Sequence, residues 1–205
     1  MHEADPNDER EEALRSVGRS PAPRDWDAVR RGDRLAINAL CENWLPTVLQ
    51  WCRRLAGPRI DADQAAQEVF IVVLRRVHTV HRAEQLPSWM FAVTRRVLAQ
   101  HRRRAWVRKW IPGEAPDIAD PRADPSRHTE RRQTARQVQA ILEQMPEDLR
   151  AVLVLCDVEG RTDPEAADIL GLKVGTAKSR LRRARQRFKE LCIRNGLAPH
   201  QRGGK

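Results

Sequence analysis

The chain has 205 residues, and 38 Lys and Arg against 28 Asp and Glu give it a formal net charge of +10. That length allows one or two domains of roughly 150 residues and argues against a single large catalytic barrel, and the longest apolar runs (69–74 and 151–156) fall well short of the roughly 20 residues needed to span a bilayer. Tyr is absent, Phe occurs three times, and Ala, Leu, Arg, Glu and Gln, all good helix formers, predominate, so the expected fold class is all-α.

Residues 1–12 carry six acids and one Arg, the opposite of a signal peptide's basic start, so a soluble, cytoplasmic protein without membrane insertion is expected. Residues 1–24 read as a disordered acidic tail. From Trp26 the spacing of Val29, Leu35, Ile37, Leu40 and Cys41 predicts a helix face, and a second helix is expected over 46–56, punctuated by Gly57-Pro58. Asp61 offers an N-cap with Gln64 in capping-box position, opening a helix to about Val77. A polar loop over 78–85 then leads into a long helix over 87–110. Residues 112–126 contain four prolines and four acids against one Arg, which reads as a linker. Beyond it a helix is expected over 129–145, with Pro146 at the first position of the next. The predicted layout is two small helical domains, 25–111 and 127–194, joined by the acidic Pro-rich linker 112–126 and followed by a tail, 195–205.

Residues 162–181 carry the pattern of a helix-turn-helix. Asp163 is placed as the cap and Pro164 as the first residue of a short helix; Ala167 is small where a second helix packs closely, and Gly171 supplies the left-handed residue that ends the first helix. Residues 173–189 then hold eight Lys and Arg and no acid, which suits a helix that meets base edges and phosphates in a major groove. The alternative is a basic, solvated helix on an unrelated bundle. Arg185 and Arg187, toward the flanks, are expected to meet phosphates.

A second basic stretch, 95–109, has seven Lys and Arg, His101 and no acid, with Trp106 inside it and Trp110 just beyond. Interleaved aromatics suit stacking on unpaired bases, or they simply cover the domain core. Trp44, Trp51 and Trp89 fall on apolar faces and are expected in the core. Cys41, Cys52, Cys156 and Cys192 form no C-x-x-C pair and read as packed small hydrophobes rather than disulfide, metal or redox groups. His78, His81 and His101 lack carboxylate or Cys partners at ligand spacing, so no metal or other cofactor is expected. No phosphate-binding loop, zinc-hydrolase motif or Ser/His/Asp constellation is present, and the chain does not read as an enzyme.

The run from Met145-Pro146-Glu147-Asp148-Leu149-Arg150 through Glu159-Gly160 to Val174-Gly175-Thr176-Ala177-Lys178-Ser179-Arg180-Leu181-Arg182-Arg183-Ala184-Arg185 resembles the C-terminal domain of extracytoplasmic-function (ECF) sigma factors of RNA polymerase. Independently, Asp63-Gln64-Ala65-Ala66-Gln67-Glu68-Val69-Phe70 and Leu86-Pro87-Ser88-Trp89-Met90 resemble two motifs of that family's first domain. The resemblance implies a transcription initiation factor whose first domain (sigma region 2) grips the β′ coiled coil of core RNA polymerase and opens the −10 element. Its second domain (region 4) sits on the β flap and reads the −35 element. By position, Asp63, Gln67 and Glu68 would face polymerase, Arg95, Arg96, His101, Arg102 and Arg103 would face −10 DNA, and Gly175, Thr176, Lys178, Ser179, Arg182 and Arg183 would face −35 DNA. An anti-sigma factor is a further partner implied by the family. The linker acids Glu114, Asp117, Asp120 and Asp124 would occupy a channel that later carries RNA. The chain departs from the family's pattern at Gln64-Ala65, at Arg96 (where Asn is common) and at Lys173 (where Ser caps the recognition helix). The competing reading is a two-domain helix-turn-helix regulator that does not bind core polymerase.

Overall fold

A computed structural model describes residues 25–57, 59–108 and 129–197, and every regular element among them is helical. The expected acidic tail, the linker with its four carboxylates, and Trp110 lie outside the described residues.

Short α1 (Trp26–Arg31) is capped by Asp25, whose side chain accepts from the Ala28 amide at 2.8 Å. Asp33 caps α2 (Arg34–Leu55) in the same way, accepting from Ala36 N at 2.9 Å. The expected break near Pro46 is absent; α2 runs straight through it. Proline deprives the Glu42 carbonyl of its helical donor, but Glu42 and Pro46 are exposed, so water can serve that carbonyl. Burial of Trp44, Thr47, Val48 and Trp51 around the proline holds the helix together.

As expected, Asp61 caps α3 (Ala62–Arg76), accepting from Asp63 N and Gln64 N. Two 3₁₀ turns, Val77–Thr79 and Ala83–Gln85, replace the expected loop and lead into α4 (Leu86–Arg108). Helices α2, α3 and α4 pack on one another around Trp44, Trp51 and Phe91. Trp51 meets the edge of Phe91 at 4.9 Å between centroids, near the T-shaped geometry favoured by ring quadrupoles.

The second helical unit comprises α5 (Thr129–Glu143), α6 (Glu147–Leu153), α7 (Asp163–Leu170) and α8 (Val174–Arg194). Pro146 is the N-cap of α6 rather than its first helical residue. Helix α6 continues into a π-helical segment, Val154–Val158, which delivers Glu159 and Gly160 at its end. The start of α7 is also one residue earlier than expected. Thr162, not Asp163, is the cap, and it forms a reciprocal capping box with Glu165, which satisfies two orphan amides at once.

Both units feed one continuous buried cluster, from Val29 through Leu98 to Ile141 and Leu191. Polar bonds cross the same seam: Gln139 Nε2 donates to the Arg53 carbonyl at 2.7 Å, and Trp51 Nε1 donates to Glu159 Oε2 at 3.1 Å. Gly57, at φ +83°, turns the chain under Glu143; a Cβ there would lie 3.1 Å from Glu143 Cδ. The indole of Trp44 is equally buried, yet its Nε1 has no hydrogen-bond partner among the described residues. Trp51→Phe should therefore cost about 1–3 kcal/mol more than Trp44→Phe, because it alone strands a buried acceptor. Urea denaturation of the two variants measures the difference, and equal losses would show that the Trp51–Glu159 bond contributes nothing.

Candidate nucleic-acid interface

Helix α8 buries one side and offers the other. Ala177, Leu181, Ala184 and Leu191 are buried against α6 and α7, at a spacing that keeps them on one face. Gly171, at φ +64°, ends α7, and the Leu172 amide donates to the Ala167 carbonyl at 2.8 Å, fixing the tight turn that sets α8 across α7. Ala167 is fully buried where the helices approach, as its size predicts.

On the opposite face Gly175, Lys178, Ser179, Arg182 and Arg183 are exposed, and Thr176 is half-buried. Ser179 Oγ donates to the Thr176 carbonyl at 2.9 Å. Lys173 caps α8 without a side-chain bond, as expected of a group that cannot accept one. Nothing lies within 4 Å of a Cβ built on Gly175, so the start of α8 presents bare backbone. Arg185 and Arg187 are held by carboxylates: Asp157 takes both ends of the Arg185 guanidinium at 3.0 and 2.6 Å, and Glu190 lies 3.3 Å from Arg187. The Asp157 bond is the leading reason that the Arg185 pKa is raised. Both arginines are paired with carboxylates of their own unit at positions where the sequence suggested phosphate contacts, and the Arg185 side chain stays 59% exposed.

The basic face of α4 is divided. Arg96 and Arg103 are exposed, and Trp106 beside them is 62% exposed, so it does not close the core. Arg95 and Arg102 instead reach across to Glu147 at the start of α6, at 2.9 and 3.4 Å, and Arg102 also donates to the Leu55 carbonyl. Burial, partly offset by Glu147, lowers the Arg102 pKa. His101 is buried with Nε2 3.1 Å from Glu68, a contact that is an ion pair only when the imidazole is protonated.

Of the residues expected to face polymerase, Gln67 is exposed, Asp63 is paired with Arg53 at 3.3 Å, and Glu68 is turned inward to His101 and Arg104. Glu68 is thus half-buried and bonded to α4 rather than standing on the outer face. The stripe that does face outward on α3 is Gln64, Gln67, Ile71 and Leu74, with Ile71 46% and Leu74 53% exposed. The apolar half of that stripe was missed in the sequence because residues 69–74 form one unbroken apolar run. Also missed was Glu159, whose side chain is 1% exposed and lies 3.1 Å from Arg54 Nη1. Burial pushes its carboxyl above the usual range, with Arg54 and Trp51 opposing.

All four cysteines are free thiols with raised pKa values, burial being the leading cause in each. Cys52 is pushed up to about 12 and Cys156 to about 11, the latter also by Asp163 and Asp157. A variant retaining only Cys156 should therefore react with a thiol reagent at a rate that climbs about tenfold per pH unit beyond pH 9, where an ordinary thiol of pKa about 8.5 has levelled off. A plateau near pH 9 would show that the thiolate is not disfavoured.

The Sigma-70 region 2 family model matches residues 40–108, and the Sigma-70, region 4 model matches residues 135–188. The chain is 32% identical over 169 residues to the ECF RNA polymerase sigma factor SigE of Mycolicibacterium smegmatis, with 80% of this chain aligned and about 65% of that protein's length spanned. It is 30% identical over 160 residues to the ECF RNA polymerase sigma factor SigM of Mycobacterium tuberculosis, covering 78% of this chain and 79% of the relative. Among solved structures, CnrH in complex with the cytosolic domain of CnrY shares the fold at a TM-score of 0.59 and 22% identity, covering 85% of this chain and 99% of that one. The sigma factor RpoE of Bartonella quintana, crystallised with the anti-sigma factor NepR, does so at 0.53 and 21%, covering 76% and 96%.

Proposed function

The chain belongs to the ECF RNA polymerase sigma factors, and on that premise we propose that it carries core RNA polymerase to promoters by a division of labour among three helices. It acts by binding rather than by chemistry of its own. The outer stripe of α3 takes the polymerase β′ coiled coil, the α4 face with Arg96, Arg103 and Trp106 takes the −10 element, and α8 takes the −35 element, with the second unit seated on the β flap. The observation that carries this reading is α8 itself, with an apolar side locked on α6 and α7 and an exposed side of Lys178, Ser179, Arg182 and Arg183. A helix so held fits a major groove, and the bare backbone at Gly175 lets phosphate approach the unpaired amides at the helix start.

The reading places the protein's work in the cytoplasm, with polymerase and promoter DNA. No helix among the described residues is long and apolar enough to cross a membrane. The co-crystallised anti-sigma factor of the Bartonella quintana protein supports an anti-sigma factor as a further partner of this chain. The acidic linker is proposed to thread the channel that later holds RNA, where carboxylates occupy positions suited to phosphates.

Two experiments test the assignments. Ile71→Asp with Leu74→Asp should weaken binding to core polymerase at least about tenfold with unchanged circular dichroism, because these exposed apolar groups are available to pack on a partner; undiminished binding would remove α3 from the polymerase contact. Arg183→Ala should cost about 1–3 kcal/mol on the preferred −35 sequence and relax the choice of base at one position. Selection against a randomised −35 library, followed by run-off transcription with core polymerase, reads this directly. An unchanged preferred sequence would make Arg183 a phosphate contact only.

A further inference from the structure

The eight Lys and Arg of residues 173–189 are not equivalent in the folded protein. Arg187 is met within α8 itself by Glu190, three residues on, and Arg180 lies 3.9 Å from Asp148 near the start of α6. Arg185 is held differently. Its Nε donates to Asp157 Oδ2 at 3.0 Å and its Nη2 to Oδ1 at 2.6 Å, a fork onto a carboxylate of the π-helical segment, 28 residues away in sequence. Such paired, charge-assisted bonds fix angle as well as distance and are about twice as strong as neutral ones.

Arg185 also stands where its direction matters. At about 100° per residue it lies about 60° round the helix from Arg182 and about 40° from Leu181. Leu181 is buried and Arg182 exposed, so Arg185 sits on the boundary between the two sides of α8. A groove of about 790 Å³ runs along the exposed side, and Arg185 lines it together with Lys178, Arg182, Arg183 and the α7 residue Asp163. A guanidinium at this boundary can swing outward to a phosphate or back to the π-helical segment, and Asp157 takes it back.

We propose that Asp157 is a specificity-determining residue for −35 recognition. Its two-point hold on Arg185 fixes the roll of α8, so that Lys178, Arg182 and Arg183 meet base edges in one register, and it keeps Arg185 off the phosphates that every sequence offers. This rests on α8 being the reader of the −35 element. Apolar burial of Ala177, Leu181, Ala184 and Leu191 holds α8 down but is non-directional, whereas the fork is directional. The demand on roll is strict. Turning a helix by about 10° moves a side-chain tip about 6 Å from its axis by about 1 Å, which takes a base-edge hydrogen bond outside its range of roughly 2.7–3.2 Å. Phosphate attraction tolerates the same displacement, because it depends on charge rather than on alignment.

The test uses the full chain and short duplexes carrying either the −35 sequence it selects or a scrambled one, with anisotropy read over a series of salt concentrations. Asp157→Asn keeps the shape and removes the charge. It should lower the preference for the selected sequence about fivefold, and on the scrambled duplex it should steepen the salt slope by about one unit as Arg185 takes up a phosphate. Arg185→Ala should lower the preference in the same way without steepening the slope. Exchanging the pair, Asp157→Arg with Arg185→Asp, should restore the preference. Glu42→Gln, the same charge change at an exposed position on α2, should leave preference and slope as in wild type. If Arg183→Ala relaxes the preference but Asp157→Asn matches wild type, α8 reads the −35 element and the role of Asp157 is overturned. If neither variant changes the preference, the α8 assignment fails and takes this role with it. A lowered preference that the exchanged pair does not restore overturns the clamp as the cause.

Discussion

A single buried carboxylate governs how the two halves of this protein meet. Glu159 leaves the π-helical end of α6 and enters the first helical unit, where the Trp51 indole donates to it and the Arg54 guanidinium balances its charge. An ionised carboxylate in that position is tolerated only with such partners, since an unpaired buried charge costs several kcal/mol. The same indole packs on Phe91 and Trp44, so the aromatic core of one unit and the polar anchor of the other share one side chain. The helix that ends in this anchor also begins with Glu147, which pairs with Arg95 and Arg102 on α4.

The electrostatics follow from an excess of cations on two helices. On α4 and α8, Arg95, Arg102, Arg104, Arg180 and Arg185 each pair with a carboxylate. Basic side chains turned outward, among them Arg96, Arg103, Lys178, Arg182 and Arg183, form two exposed basic faces. Opposite charges thus hold the scaffold, while like charges gather on the two faces proposed to meet DNA.

What the sequence disclosed was local. The helix-turn-helix was legible because Ala167, Gly171 and the basic run each answer to a short-range rule of size, backbone sign or charge. The Asp61 cap and the core tryptophans Trp44 and Trp51 were legible for the same reason. Errors of one residue arose where two capping groups stood side by side, Thr162 beside Asp163, and where proline could serve as cap or as first residue, at Pro146. Pro46 misled because its penalty is local, whereas the burial that outweighs it is tertiary. The inward turn of Glu68 and the reach of Glu147 and Glu159 could not be read from spacing. They depend on partners 36, 52 and 108 residues away, and an acid on a helix surface looks alike in sequence whether it faces water or a distant arginine.

The π-helical turn at Val154–Val158 gives this arrangement a peculiar fragility. A π turn accommodates one residue more than an α turn would, and each residue advances an α-helix by about 100° and 1.5 Å. Glu159 therefore points at Trp51 through a phase offset stored in five residues, not through the identity of any one of them. Losing a single residue from the α-helical part of α6, where no extra residue is held in reserve, would keep the helix, its hydrophobicity and its charge, yet rotate everything after it by over a quarter turn. The carboxylate would swing away from α2 while the capping box and α8 stayed individually intact. In this fold, the alignment between the two units is a matter of counting, and evolution could retune it by insertion or deletion more readily than by substitution.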